Sequence, residues 1–454
     1  MNIIIVGGGK VGYSVAETLS AEGHDITVID QSAATIERIS TALDVICVQG
    51  SAANPETLQA AGVDRAELLL AATEKDEVNM ICGITAHRLG ARHVVARIRD
   101  PEYLHQGAFL RKTMGLSLIV NPEYECAKEI SRLLHFPSAV RVDTFSNGSV
   151  EIVDHRIPED GKLAGMTLRE LPGAIGAKVL VVMVERGSEA LIPHGDFTLR
   201  AGDRLSISGS TAELRRFFAR IGQYRRPVKS VMLMGGGRVA VYLTRMLLES
   251  GIAVTIVERD AARCELLCDL VPGASVVCGD ATRSEVLDEE GLARSDAFVA
   301  LTGDDGDNII VSLFARSCAV PKIVTKLNRD LFGGLLEGTG LDSTVSPKEL
   351  VAQQLTGYVR ALSASRGGGM ESLHRLADGK AEALEFLVDE HSRMAHKPLR
   401  ELKLKKNVLI GAIIRCGKSL IPDGNTALLP GDHAVVVSLA GRLTALDQIL
   451  EGER

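Results

Sequence analysis

Short, almost unbroken apolar runs alternate along this chain with segments whose apolar residues recur at helical spacing. In the first part the runs are NIIIV, DITVI, VICV, ELLLAA, HVVARI and SLIV, and they return later as SVMLM, AVTIV, SVVC, AFVAL, KIVTKL and STV. Strands this short and this uniformly apolar indicate a parallel sheet covered by helices on both faces. Right-handed crossovers between such strands predict a doubly wound order. A different pattern occupies roughly 138–222 and 370–454, where VRVDTFSNGSVEIVDHRI, KVLVVMVERG and DRLSISGS alternate like half-buried strands and predict small mixed modules.

The second set of runs belongs to a copy of the first. The fingerprint Gly7-x-Gly9-x-x-Gly12 follows a strand and opens a helix, and it reappears as Gly235-x-Gly237-x-x-Ala240. Asp30 and Glu258 each end the next strand, 23 residues after the first glycine. Gly50 and Gly279, Thr73 and Thr302, Asn79 and Asn308, Pro193 and Pro422, Gly195 and Gly424, and Gly202 and Gly431 are each 229 residues apart. A period this long means tandem domains and lies outside the range of solenoid repeats. The expected fold is α/β, with two Rossmann-like doubly wound parallel-sheet domains at 1–136 and 229–365. Each is followed by a small α+β module, at 137–222 and 370–454. Asn121-Pro122 and Ser346-Pro347 start a helix leading out of each sheet domain, with an apolar face suited to packing on another domain or subunit. Ile-Pro-x-Gly (192–195 and 421–424) and Gly-Asp (202–203 and 431–432) predict hairpins, 222–230 a polar linker, and 363–372 a hinge.

Composition narrows the picture. The 454 residues carry 51 basic and 58 acidic side chains, a net charge of −7, which gives no electrostatic reason to bind nucleic acid or anionic lipid. No apolar run approaches the roughly 18–20 residues of a spanning helix, and the N-terminus enters a strand directly, so direct membrane insertion is not expected and a cytoplasmic location is. Eight cysteines without a CxxC argue against a zinc ribbon or a disulfide framework.

The fingerprint has a physical meaning. Its first glycine permits the tight turn, the second lets backbone approach a pyrophosphate, and the third lets the helix pack closely, with the phosphates on the helix N-terminus. Gly7, Gly8, Gly9, Lys10, Val11 and Gly12 are the candidates in the first half, and Gly235, Gly236, Gly237, Arg238 and Val239 in the second. Asp30 and Glu258 are placed to accept both ribose hydroxyls and to repel a 2′-phosphate. Ser51, Thr73 and Glu74, with Asp280 and Thr302, lie at the carboxyl edge of each sheet and would frame adenine and ribose. Arg97 and Lys326 end the fifth strands within reach of a phosphate, and Lys10 and Arg238 follow the second glycine. The acidic stretch TGDDGDN at 302–308 lacks the alternating spacing of a cation loop and reads as a helix start. No histidine is matched between the halves and no nucleophile or acid–base pair accompanies either fingerprint, so neither catalysis nor a metal is expected.

On IIIVGGGKVG, Asp30, the helix that follows the sheet, the small module and the repetition of the whole, the full chain resembles the TrkA family of tandem RCK proteins. These are cytoplasmic nucleotide-binding subunits of Trk-type potassium uptake systems. The resemblance implies NAD(H), and also ATP or ADP, at the residues named above. It further implies a homo-oligomeric ring, a tetramer, peripheral on the inner face of the membrane, that gates a membrane-embedded potassium transporter of the TrkH/TrkG type. The alternatives are a regulator of another potassium channel or antiporter, and an NAD-dependent oxidoreductase with duplicated cofactor domains.

Overall fold

The computed structural model describes residues 1–454 except 224–225, 329–335, 337–338, 342, 364–368, 440–441 and 453–454. Its first sheet has six parallel strands in the spatial order Ile46–Gln49, Asp25–Asp30, Asn2–Val6, Leu68–Ala71, His93–Arg97 and Leu118–Val120. The order reverses direction beside Asn2–Val6, and the open crevice at such a switch point is where doubly wound sheets bind ligands. The second sheet repeats this order with Ser275–Cys278, Ala253–Glu258, Ser230–Met234, Ala297–Ala300, Lys322–Lys326 and Thr344–Val345. The central strands are buried along almost their whole length, which explains why they read as continuous apolar runs.

Each small module is a five-stranded antiparallel sheet. The first runs Glu189–Leu191, Leu180–Arg186, Arg204–Gly209, Val150–Arg156, Arg141–Phe145, and the second has the same topology. The two modules share a core in which Ile152, Val182 and Met183 meet Ala383, Ala412 and Val435. At a bulge in the second module, a Cβ added to Gly411 would come within 2.9 Å of Val182, so glycine there allows the sheets to approach. The Gly-Asp turns do not close the hairpins their sequence predicts, because the strands before and after each one lie on opposite sides of the strand Leu180–Arg186 or Val408–Arg415; they serve instead to place a carboxylate. Asp203, 1% exposed, accepts two bonds from Arg186 at 2.8 and 2.7 Å, and Asp432 does the same from Arg415.

The helices leading out of the sheets are exchanged. Pro122–His135 leaves the first sheet and packs Cys126, Ile130 and Leu134 into a core with Val231, Leu233 and Val239 of the second half. Pro347–Ser363 packs Val351, Leu355 and Val359 against Ile3, Ile5 and Val15 of the first half. Each such buried aliphatic side chain contributes about 1.5–3 kcal/mol, so the exchange is a major part of what holds the halves together. The polar ties follow the same path. Asn121 caps its helix through the Tyr124 amide (2.8 Å) and donates to the Tyr242 hydroxyl (3.0 Å), which donates to the Arg99 carbonyl (2.8 Å). Ser346, at the matching start, leaves its buried hydroxyl without a hydrogen bond. Arg360, 4% exposed, bridges Glu22 of the first half and Glu382 of the second module. Half of the expected hinge at 363–372, residues 364–368, lies outside those described, and its last three residues begin the strand Met370–Leu376; part of the linker at 222–230 also lies outside them.

Candidate functional site

At the first fingerprint Gly7 has φ +100° and at the second Gly235 has φ +94°, both in the region that favours glycine. A Cβ on Gly7 would lie 2.8 Å from the Ala72 carbonyl oxygen, and one on Gly12 would lie 1.9 Å from the Gly7 carbonyl oxygen, so the first loop is closed tightly by its own backbone. Ala240 stands at the third position of the second loop, which is correspondingly more open: the nearest atom to a Cβ on Gly235 is 3.3 Å away. Gly9 and Gly237 differ in kind. A Cβ at either would meet no protein atom within 4 Å, and the backbone there is extended. Both are N-cap residues of 12-residue helices, Lys10–Ala21 and Arg238–Glu249, that no side chain caps. Open space beside uncapped helical amides, flanked by exposed Lys10 or Arg238 and anchored by buried Val11 or Val239, suits an anion.

Asp30 accepts from the Gly8 amide at 2.7 Å and from the Ser32 amide at 2.9 Å, and Glu258 accepts from the Gly236 and Asp260 amides at 2.7 and 3.0 Å. Each acid therefore fixes its glycine loop and starts the next helix while keeping further acceptor capacity for hydroxyls. A cation completes both loops: Arg38 donates to the Gly8 carbonyl (2.9 Å) and Arg263 to the Gly236 carbonyl (2.8 Å). These two arginines escaped the sequence analysis because they lie at different positions of their helices, outside the matched spacing.

The remaining candidates gather at the carboxyl edges. Thr73 and Thr302 are held by Asn79 and Asn308, both fully buried. Each asparagine accepts from the threonine amide and hydroxyl and donates to the carbonyl of Arg97 or Lys326, pinning the fourth strand to the fifth. The 229-residue matching had found these asparagines but not their task. Ser51 accepts from the Ala53 amide, and Asp280 accepts from the amide and hydroxyl of Thr282, which hold its carboxyl below the usual range. The Glu74 side chain is exposed, and its carbonyl accepts from Arg99. In TGDDGDN, Asp304 caps the helix Asp305–Ser317 through the Asp307 amide (3.0 Å), and Asp305 is buried against Asn328.

Arg97 and Lys326 stand where the halves meet. Arg97 is 3.4 Å from Glu123, on the first exchanged helix. Lys326 donates to the Leu301 carbonyl at 3.0 Å, and burial pushes its ammonium below the ordinary lysine value. Cys126 and Glu123 act on that ammonium from the exchanged helix, and Lys10 acts on it from the first glycine loop. A cation of the second half is thus within electrostatic range of the first phosphate-type loop.

Models of the TrkA-N domain match residues 3–122 and 231–347, and models of the TrkA-C domain match 152–222 and 383–450. The chain is 32% identical over 450 residues to a Trk system potassium uptake protein TrkA homolog of Archaeoglobus fulgidus, covering 99% of this chain and 100% of that one. It is 31% identical to the Trk system potassium uptake protein TrkA of Haemophilus influenzae, covering 96% and 95%. Among solved structures, the GsuK RCK domain superposes with a TM-score of 0.63 at 20% identity over 96% of this chain and 92% of its own. A GsuK channel bound to NAD gives 0.63 at 19% over 96% and 76%.

Proposed function

We propose, for a chain that belongs to the TrkA family of Trk potassium uptake proteins, that it is a nucleotide-binding regulatory subunit. It would gate a membrane-embedded potassium transporter of the TrkH/TrkG type in response to NAD(H) or ATP/ADP. The observation that carries this reading is the space over Gly9 and Gly237: glycine is required there by nothing in the protein, and that space adjoins the uncapped helix amides and the acid-held loop. The NAD-bound GsuK channel supports the ligand class. No helix among the described residues is long and apolar enough to cross a membrane. Exposed Ile81 and Ile84 on Asp76–Leu89, and Ile310 and Leu313 at the matching positions of Asp305–Ser317, form repeated apolar faces suited to assembly into a homotetrameric ring.

The exchanged helices supply a route for gating. The helix behind the first loop packs on Pro347–Ser363, which leads toward the second small module, and the helix behind the second loop packs on Pro122–His135, which leads into the first. A ligand that prefers one spacing of loop and helix would shift the small modules of the opposite half, with no chemical turnover. Calorimetric titration of the full chain with NAD, NADH, ATP and ADP tests the reading, and two nucleotide sites per chain are expected. One saturating site, equal affinity for every nucleotide in the presence and absence of the transporter, or turnover of NADH would contradict it.

A further inference from the structure

We propose that Glu371, Glu385 and His433, in the second small module, form a binding site for a divalent transition-metal cation, for which zinc has the best-matched chemistry. One donor atom from each residue lies within 4.8 Å of the other two. His433 Nδ1 is 2.7 Å from Glu371 Oε2 and 3.1 Å from Glu385 Oε1. That nitrogen is closed to solvent, yet neither contact has hydrogen-bond geometry. Two carboxylate oxygens therefore crowd a ring nitrogen from off its axis. Donor atoms converging off each other's hydrogen-bond axes are what a shared metal ion needs, and at zinc's bond lengths of about 2.0–2.1 Å they would stand roughly 3.3 Å apart, so the 2.7 Å pair has to open slightly to admit the ion.

The duplication gives independent support. Strand register places Ser206 opposite Asp154 in the first module and Val435 opposite Glu385 in the second, so Glu385 takes the place of Asp154 and His433 that of Arg204. In the first module Arg204 supplies a fixed positive charge 2.9 Å from Asp154. The second module has replaced that guanidinium with a shorter imidazole and turned a second carboxylate, Glu371, toward it. The built-in cation has become a place for an added one.

The surroundings suit a ligand set. Glu385 is 3% exposed, and its Oε2 accepts from the Ser372 hydroxyl (3.0 Å) and the Ser146 amide (3.3 Å), while Oε1 accepts from the Ser146 hydroxyl. Such bonds orient ligating carboxylates. Ser146 belongs to the first module, so an ion on Glu385 would stiffen the joint between the modules. The three residues line a cavity of about 1260 Å³ between the halves, which gives an ion and its waters an approach. The imidazole favours zinc or another transition-metal ion over calcium and magnesium, which prefer all-oxygen surroundings, and three protein ligands leave zinc a position for water.

The test is calorimetry on the chelator-treated full chain with zinc, calcium and magnesium chlorides, paired with melting curves. Wild type is expected to show one tight zinc site per chain, with calcium and magnesium weaker by roughly a hundredfold, and zinc should raise its melting temperature. Glu371→Gln changes an exposed residue, and His433→Arg recreates the Arg204–Asp154 arrangement. Both are expected to fold, to lose that site by at least about tenfold in affinity, and to melt independently of zinc. Absence of a zinc site in wild type, calcium binding as tight as zinc, or undiminished zinc binding in both variants would overturn the proposal.

Discussion

Replacing Gly9 with alanine separates the ligand's claim on the first loop from the protein's own. The added Cβ meets no atom within 4 Å, and the backbone at φ −68° and ψ −169° is open to any residue. Stiffening the unfolded chain gains about 0.4–1 kcal/mol, and alanine is a poorer N-cap than glycine by a similar amount. The two effects nearly cancel, so the melting temperature should stay within a few degrees. Binding should not survive as well. A methyl group over the helix amides keeps a phosphate from at least one charge-assisted hydrogen bond, about 1.5–3 kcal/mol, or roughly 10- to 150-fold in Kd. Gly12→Ala reverses the balance, because its Cβ would lie 1.9 Å from the Gly7 carbonyl oxygen and the loop must shift, at a cost of about 1–3 kcal/mol. Calorimetric titration with NADH and scanning calorimetry on both variants read the two quantities separately. If Gly9→Ala binds NADH at the first site as wild type does, or unfolds, the assignment of the open space to a phosphate is wrong.

Other expectations follow from buried groups. Arg360→Met leaves Glu22 and Glu382 without their shared partner in a poorly solvated place, and urea denaturation should show a loss of about 3–5 kcal/mol. Burial raises the Asp143 carboxyl, but Arg141 and His374 outweigh it and hold the group down to about 2, against 3.8 for the free side chain. Its stabilisation is therefore present above about pH 4 and lost as pH falls toward 2, so the stability deficit of Asp143→Asn in urea melts should shrink over that interval. Burial pushes the Cys82 and Cys126 thiols up to about 12. Iodoacetamide at pH 8 should modify exposed Cys268, Cys278 and Cys416 and spare these two, as peptide mass spectrometry would report.

The two sheets were legible in the chain because their strands are buried on both faces, and the glycine spacing located each loop to the residue. The repeat offset also brought out Asn79 and Asn308, but a matched polar residue does not announce which carbonyl it will reach. Arg38 and Arg263 were invisible for the opposite reason: two halves solved the same problem, a cation on a loop carbonyl, from different turns of a helix. The Gly-Asp pairs read as hairpin turns, whereas the strands beside them do not pair and Asp203 and Asp432 are buried receivers for arginine, which only packing reveals. An apolar helix face predicts that a partner exists without saying which, so the exchange of Pro122–His135 and Pro347–Ser363 between the halves needed the structure.

That exchange changes what the inequality of the two loops means. If each glycine loop served only its own half, a difference such as Gly12 against Ala240 would tune one module at a time. Because the helix behind each loop packs on the helix leading into the other half's module, a ligand that tightened the closed first loop would act on the second module, and one that filled the more open second loop would act on the first. Lys326 is within electrostatic range of Lys10 across the boundary, so a charge of one half acts at the loop of the other. Phosphate at the first loop would offset the repulsion between those cations, an effect weakened by salt only as far as the partly buried site admits it. Lys326→Met should therefore weaken nucleotide binding at the first loop more than at the second, although it belongs to the second sheet. Calorimetry on Lys326→Met in Gly237→Ala and Gly9→Ala backgrounds isolates each site. A loss confined to the second loop would show that the halves read their ligands independently.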